Sequence, residues 1–178
     1  MTINWRREPW PDWRPTHKWR GSPFARRRMF FEQHPEHCNG HVVCPACGYP
    51  TLMQRGSFDN CPLCHWEDDG HDDPQAHYRN GGPNDSTLNK ARENFEQTCS
   101  VWSINEKDEF TPWNQVQLFD VGVIQQKRAW RACYDELLTL EAAEFIAQCW
   151  NKIEQQIQEN KLLCRSLVEK AQQKKDRS

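Results

Sequence analysis

Cys44-Pro45-Ala46-Cys47-Gly48-Tyr49 and Cys61-Pro62-Leu63-Cys64 are the stretches on which the fold turns, and thirteen residues separate Cys47 from Cys61. Two C-x2-C pairs at this separation are the sequence form of a tetrahedral metal site with four thiolate ligands. Pro45 and Pro62 each follow a first cysteine and fix φ inside a tight turn. Gly48 supplies the positive φ that such a turn needs. Between the pairs, Tyr49 to Met53 and Phe58 to Asn60 read as two short strands around a turn at Gly56-Ser57. The expectation is a zinc ribbon. One structural Zn2+ would be held by Cys44, Cys47, Cys61 and Cys64, because closed four-ligand sites are structural and open ones catalytic.

Three other readings of these cysteines fit less well. A redox C-x-x-C belongs at a strand end within a βαβ pattern, and no second pair should follow it at ribbon spacing. A nucleobase deaminase needs H-x-E and then P-C-x-x-C. His34-Pro35-Glu36 could stand for the first part, but Asn60 occupies the proline position before Cys61. A disulfide framework is disfavoured by the odd count of nine cysteines. No apolar stretch follows Arg6 and Arg7, so a secretory signal is not expected. A reducing cytoplasm suits the thiols.

Around the cysteines, the 178-residue chain reads in three parts. Residues 1–40 are a Trp/Arg/Pro-rich N-terminal arm, residues 41–102 hold the ribbon and a following helix, and residues 111–178 are helical. The net charge of −2 is unevenly spread. Residues 1–31 carry eight basic side chains against Glu8 and Asp12, a local +6 that leaves −8 for the remainder. In the arm, Trp5-Arg6, Trp13-Arg14 and Trp19-Arg20 recur among prolines that oppose a helix. So many tryptophans suit rings buried on the protein's own surface better than a free tail. Arg with Trp also suits contact with single-stranded nucleic acid or a partner protein. The Arg26-Arg27-Arg28 run reads as solvated.

Thr87 caps a helix to about Cys99 that places Leu88, Ala91, Phe95 and Cys99 on one stripe. Thr111-Pro112 is a helix start with Thr at the N-cap and Pro at N1. A helix from about Val121 to Leu138 is followed by one from about Leu140 to Lys170. The second carries a heptad seam at Ile146, Trp150, Ile153, Ile157, Asn160, Cys164, Leu167 and Ala171. Asn160 is the one polar position in it. An antiparallel helical hairpin follows. The fold class expected is α+β: a small zinc ribbon with a short β-hairpin, packed helices and a C-terminal helical hairpin. No apolar run is long enough to span a membrane.

The motifs Cys44 to Tyr49, Cys61 to Asp69 (with Trp66-Glu67-Asp68-Asp69 at its end), Gly81 to Asn84 and Thr87 to Phe95 together resemble the bacterial cysteine-rich CPCC domain family. The family pattern runs CPCCGY, CPVCxWEDD, GGxN, SLxEARxNF. Ala46 replaces the family's third cysteine, so the outer two, Cys44 and Cys47, suffice for a C-x2-C pair. Lys90 replaces the glutamate that would complete a capping box with Thr87. The resemblance implies small bacterial cytoplasmic proteins, some of which look like immunity proteins paired with toxins. The expectation is then a zinc-binding interaction protein of the antitoxin type that occludes a cognate toxin. Trp66, Glu67, Asp68, Asp69, Asp72 and Asp73 would be the partner-binding surface, offered to a basic cleft. A metal at this loop with His65, His71 or His77 is a weaker reading. No nucleophile–base pair, phosphate loop or H-E-x-x-H motif occurs, so an enzyme is not expected. The rival function is a nucleic-acid-binding ribbon protein using the basic arm.

Overall fold

A computed structural model describes residues 15–79 and 82–175. The Trp5, Trp13, Arg6, Arg7 and Arg14 positions of the arm, and Gly81, lie outside the described residues. The chain divides into two compact units, residues 1–101 and 102–178.

In the first unit, helix α1 (Pro23–Gln33) starts at Ser22, whose hydroxyl accepts from the Ala25 N–H, with proline in the first turn. A 3-10 turn over Pro35–His37 follows. Strand β1 (Val42–Val43) pairs antiparallel with β2 (Pro50–Leu52), with an irregularity between Val42 and Val43. Helix α2 (Leu88–Thr98) is capped by Thr87, which accepts from the Lys90 N–H, and ends at Cys99 in the left-handed conformation. The cap therefore holds without the glutamate that Lys90 replaces. Leu88, Ala91, Phe95 and Cys99 are all buried, as their stripe requires.

The hairpin is displaced from its expected place. The partner of β2 is Val42–Val43, not Phe58–Asn60. The strands flank the first cysteine pair instead of joining the two pairs. The cause is local: the Cys44 N–H bonds the Tyr49 carbonyl at 2.9 Å and draws the chain before and after the turn together. Phe58–Asn60 turns back on the second pair instead, with a bridge from Asn60 to Glu67.

The described part of the arm is built into this unit. Trp19 is buried, lies edge-on to Phe24 at 5.6 Å, and donates its indole N–H to Asn89 of α2. Phe31, Tyr49 and Phe95 continue the core with ring separations of 6.3 and 6.2 Å. The arginine run is not a solvated one. Arg26 is exposed, but Arg27 and Arg28 are buried, because each meets fixed acceptors inside the unit.

The second unit is helical. A 3-10 segment, Ile104–Glu109, opens with a capping box between Ser103 and Glu106. Helix α3 (Pro112–Phe119) has Thr111 at its N-cap and proline next. Asp120 ends it in an extended conformation and caps α4 (Val121–Leu137) through the Gly122 and Val123 N–H groups. Helix α5 (Ala143–Lys175) runs back antiparallel, with Lys152 bonding Glu136 and Gln156 accepting from Gln126. Ile146, Trp150, Ile153 and Cys164 of the seam are buried. Asn160 donates to the Gln126 side chain at 2.7 Å, so the polar seam position is matched within the hairpin. Among the described residues, no helix is long and apolar enough to cross a membrane.

Candidate metal centre

The two cysteine pairs fold as equivalent knuckles. In each, the N–H of the first cysteine bonds the carbonyl five residues on: Cys44 to Tyr49 at 2.9 Å, Cys61 to Trp66 at 2.8 Å. In each, the residue after the second cysteine bonds back to the first: Gly48 to Cys44 and His65 to Cys61, both 2.9 Å. That residue is left-handed in both, with φ of 77° at Gly48 and 68° at His65. Glycine is the natural occupant of this conformation, and His65 adopts it at a steric cost.

The knuckles bring four sulfurs together. Cys44, Cys47, Cys61 and Cys64 are fully buried and their Sγ atoms lie within 4.8 Å of one another. Cys44 Sγ is 3.7 Å from Cys64 Sγ, and Cys47 Sγ is 3.9 Å from Cys61 Sγ. These spacings are far too long for disulfides. A tetrahedral ion with metal–sulfur bonds of about 2.3 Å separates its ligands by about 3.8 Å. The donor set therefore fits one metal ion, with no coordination position left open.

Neighbouring groups tune the sulfurs. The Thr51 hydroxyl lies 3.0 Å from Cys61 Sγ and the Cys64 N–H donates to the same sulfur. Burial alone would push the Cys61 thiol up, but hydrogen bonds from Cys44, Cys47, Cys64 and the Cys64 N–H hold it well below its ordinary value. Burial pushes Cys44 and Cys64 well above theirs. A bound cation would displace the thiol protons, since thiolate is the ligating form.

Two buried guanidinium groups brace the first knuckle. Arg27 donates to the Cys47 carbonyl at 2.7 Å, pairs with Glu96, and lies over the Tyr49 ring at 4.8 Å. Arg92 donates to the Pro45 carbonyl at 2.9 Å and lies over the Phe24 ring at 4.3 Å. Their positive charge stands against the knuckle that would carry thiolate charge with a metal bound.

This geometry has a sequence counterpart among known families. Residues 42–112 match the family described as cysteine-rich CPCC. This stretch is a CPCC domain. No curated protein and no solved structure matches the chain. The CPCC domain here keeps the metal-ligand spacing with Ala46, itself fully buried, in place of a third cysteine.

The acidic loop after the second knuckle is not the surface expected of it. Trp66 is buried to 2% exposure, and the side chains of Asp68, Asp72 and Asp73 are exposed by 0, 5 and 4%. The Glu67 and Asp69 residues are half-buried. The acids face inward because three arginines meet them. Arg28 bonds Asp72 through its two terminal guanidinium nitrogens, Arg55 bonds Asp68 at 2.9 Å and Asp72 at 2.8 Å, and Arg92 bonds Asp73 at 2.7 Å. Asp68 also accepts from the Gly56 N–H. Trp66, Asp68, Asp72 and Asp73 are therefore withdrawn from the partner-binding set. Nor does the loop assemble a metal site among the described residues: His71 is buried against the Gln75 carbonyl, while His77 is exposed.

Sequence reasoning missed Arg27, Arg28, Arg55, Arg92 and Thr51. Thr51 carried a local signal, since it lies within the strand that leaves the first knuckle. The arginines carried little, because apart from the pairing of Arg28 with Glu32 one turn on, their polar partners lie between 13 and 69 residues away in sequence.

Proposed function

We propose that the chain is a zinc-stabilised, non-catalytic interaction protein of the immunity (antitoxin) type, binding a cognate bacterial toxin and occluding its active cleft. The observation that carries this reading is the closed Cys44/Cys47/Cys61/Cys64 set, buried on all sides. A tetrathiolate leaves no open position for a substrate or an activated water, which suits zinc in a structural role. The CPCC resemblance supports the immunity assignment.

The inward turn of the acidic loop changes how a partner would be held. Met53 and Phe58, 71 and 59% exposed between the knuckles, are the large apolar side chains the domain offers to solvent there. Apolar anchors of this kind, with Glu67 and Asp69 on the segment that bonds back to Phe58, replace the buried acids as the contact surface. Burial of Arg27 and Arg28 in ion pairs removes two cations from the arm, which disfavours the nucleic-acid reading.

The test is co-expression with the product of the adjacent gene. A stable complex and protection from toxicity support the reading. Phe58→Asp should weaken the complex at least about tenfold without loss of metal, as truncation of an interface anchor does. Neither complex nor protection, or nucleic-acid binding that falls steeply with salt, would overturn it.

A further inference from the structure

The CPCC domain is preceded by a second group of metal-ligand side chains, of different chemistry from the first. One ligand atom from each of His34, Glu36 and His37 lies within 4.8 Å of the other two. His34 Nδ1 is 3.0 Å from Glu36 Oε1, and His37 Nδ1 is 3.4 Å from the same oxygen. Adjacent donors on a tetrahedral or octahedral ion, with bonds of about 2.0–2.2 Å, are separated by about 3.0–3.5 Å.

The backbone explains the convergence. His34 ends α1, and Pro35 starts the 3-10 turn that follows. A 3-10 turn has three residues per turn, so positions three apart eclipse. His34 and His37 accordingly stand side by side, their ring centroids 5.5 Å apart. Phe30, from the last turn of α1, packs on both, at 4.5 Å from His34 and 5.0 Å from His37. This packing holds the two rings before any ion arrives.

We propose that His34, Glu36 and His37 bind one divalent first-row transition-metal ion in an open, three-ligand site distinct from the tetrathiolate. Two imidazoles and one carboxylate suit Zn2+, Co2+ or Ni2+, whereas the thiolates select softer coordination. His37 is buried, while His34 and Glu36 side chains are 43 and 59% exposed, so one side of the site is walled and the other open to water. The remaining positions are left for water or for a ligand from another molecule. Cys38 does not join, since its sulfur turns to the Phe31 carbonyl. His41 does not join either, since its Nδ1 faces the Cys38 and Asn39 carbonyls. An ion here would tie the end of α1 to the turn that enters β1. The inference is independent of the partner reading above.

The test uses the full chain with its tetrathiolate filled by zinc. Cobalt is titrated in and followed by visible absorption and equilibrium dialysis. The expected result is a further equivalent of cobalt per chain, with d–d bands and no thiolate charge-transfer band. Glu36→Gln and His34→Ala should each weaken it by at least about tenfold, with the tightly held zinc unchanged. In the wild type, the imidazole nitrogen signals of His34 and His37 should move when zinc is added beyond the first equivalent. No further equivalent at millimolar cobalt, unchanged affinity in both variants, or shifts confined to other histidines would overturn the proposal.

Discussion

Arg28 donates two parallel hydrogen bonds, each 2.7 Å, to the two carboxylate oxygens of Asp72. The guanidinium comes from α1 and the carboxylate from the loop beyond the second knuckle, 44 residues later. Both are buried, and Arg55 adds a third bond to Asp72. Bidentate geometry with every oxygen engaged is the condition under which a buried pair offsets its desolvation.

Asp72→Asn should therefore be strongly destabilising. It removes the bidentate partner of buried Arg28, leaving it the longer contact to Glu32, and takes from Arg55 one of its two carboxylates, at a cost of about 3–5 kcal/mol. Urea denaturation of the two proteins measures it. A loss below about 1 kcal/mol would mean that the pair is not a fixed part of the first unit.

The same pair sets a pH dependence. Burial alone would raise the Asp72 carboxyl, but Arg28 and then Arg55 hold it well below the ordinary carboxylate range. A group lowered in the folded state adds stability in full above its unfolded value, about 3.9, and loses it as pH falls toward the native value. The stability gap between wild type and Asp72→Asn should be constant at pH 5–7 and narrow below about pH 4. Urea titrations down to the lowest pH at which the wild type folds check this. A gap that widens on acidification would reverse the assigned sign.

Gly48→Ala tests the knuckle. Gly48 has φ of 77°, and a Cβ there would stand 3.1 Å from Phe24 Cδ2 and 3.3 Å from Arg27 Cγ. The left-handed conformation costs an L-residue about 1–2 kcal/mol, and the crowding adds to it. A destabilisation of about 2–3 kcal/mol is expected by thermal or urea unfolding. A neutral substitution would mean that α1 does not press on the knuckle.

In the helical unit, Ile153 and Leu162 are a contrasting pair on α5. Ile153 is fully buried and Leu162 is 64% exposed. Ile153→Ala should cost about 2–5 kcal/mol and Leu162→Ala less than about 0.5 kcal/mol. Comparable losses at the two positions would contradict the α4–α5 seam.

What was legible in the sequence was local. The cysteine spacing assembled the four sulfurs, Thr87 and Thr111 marked helix starts, and the Ile146–Cys164 spacing marked the buried face of α5. Each of these signals is carried by residues within a few turns of one another. The strand pairing was misplaced because the knuckle hydrogen bond from Cys44 to Tyr49, not the intervening turn, decides which segments meet. The acidic loop was misread because its charge is answered by Arg28, Arg55 and Arg92, and nothing in a run such as Arg26-Arg27-Arg28 says which member will turn inward. His34 and Glu36 carry a local H-x-E signal, whereas the 3-10 turn that adds His37 to them is a feature of the backbone.

X-ray absorption on the purified full chain, with elemental analysis, tests most directly whether one metal ion clamps the two knuckles. The prediction is one tightly held zinc per chain with four sulfur neighbours at about 2.3 Å. Cys44→Ser or Cys61→Ser should lose that zinc and unfold residues 41–102, because binding supplies folding free energy. Full zinc content and an intact fold in either variant, or a wild-type protein folded without sulfur-bound metal, would contradict it.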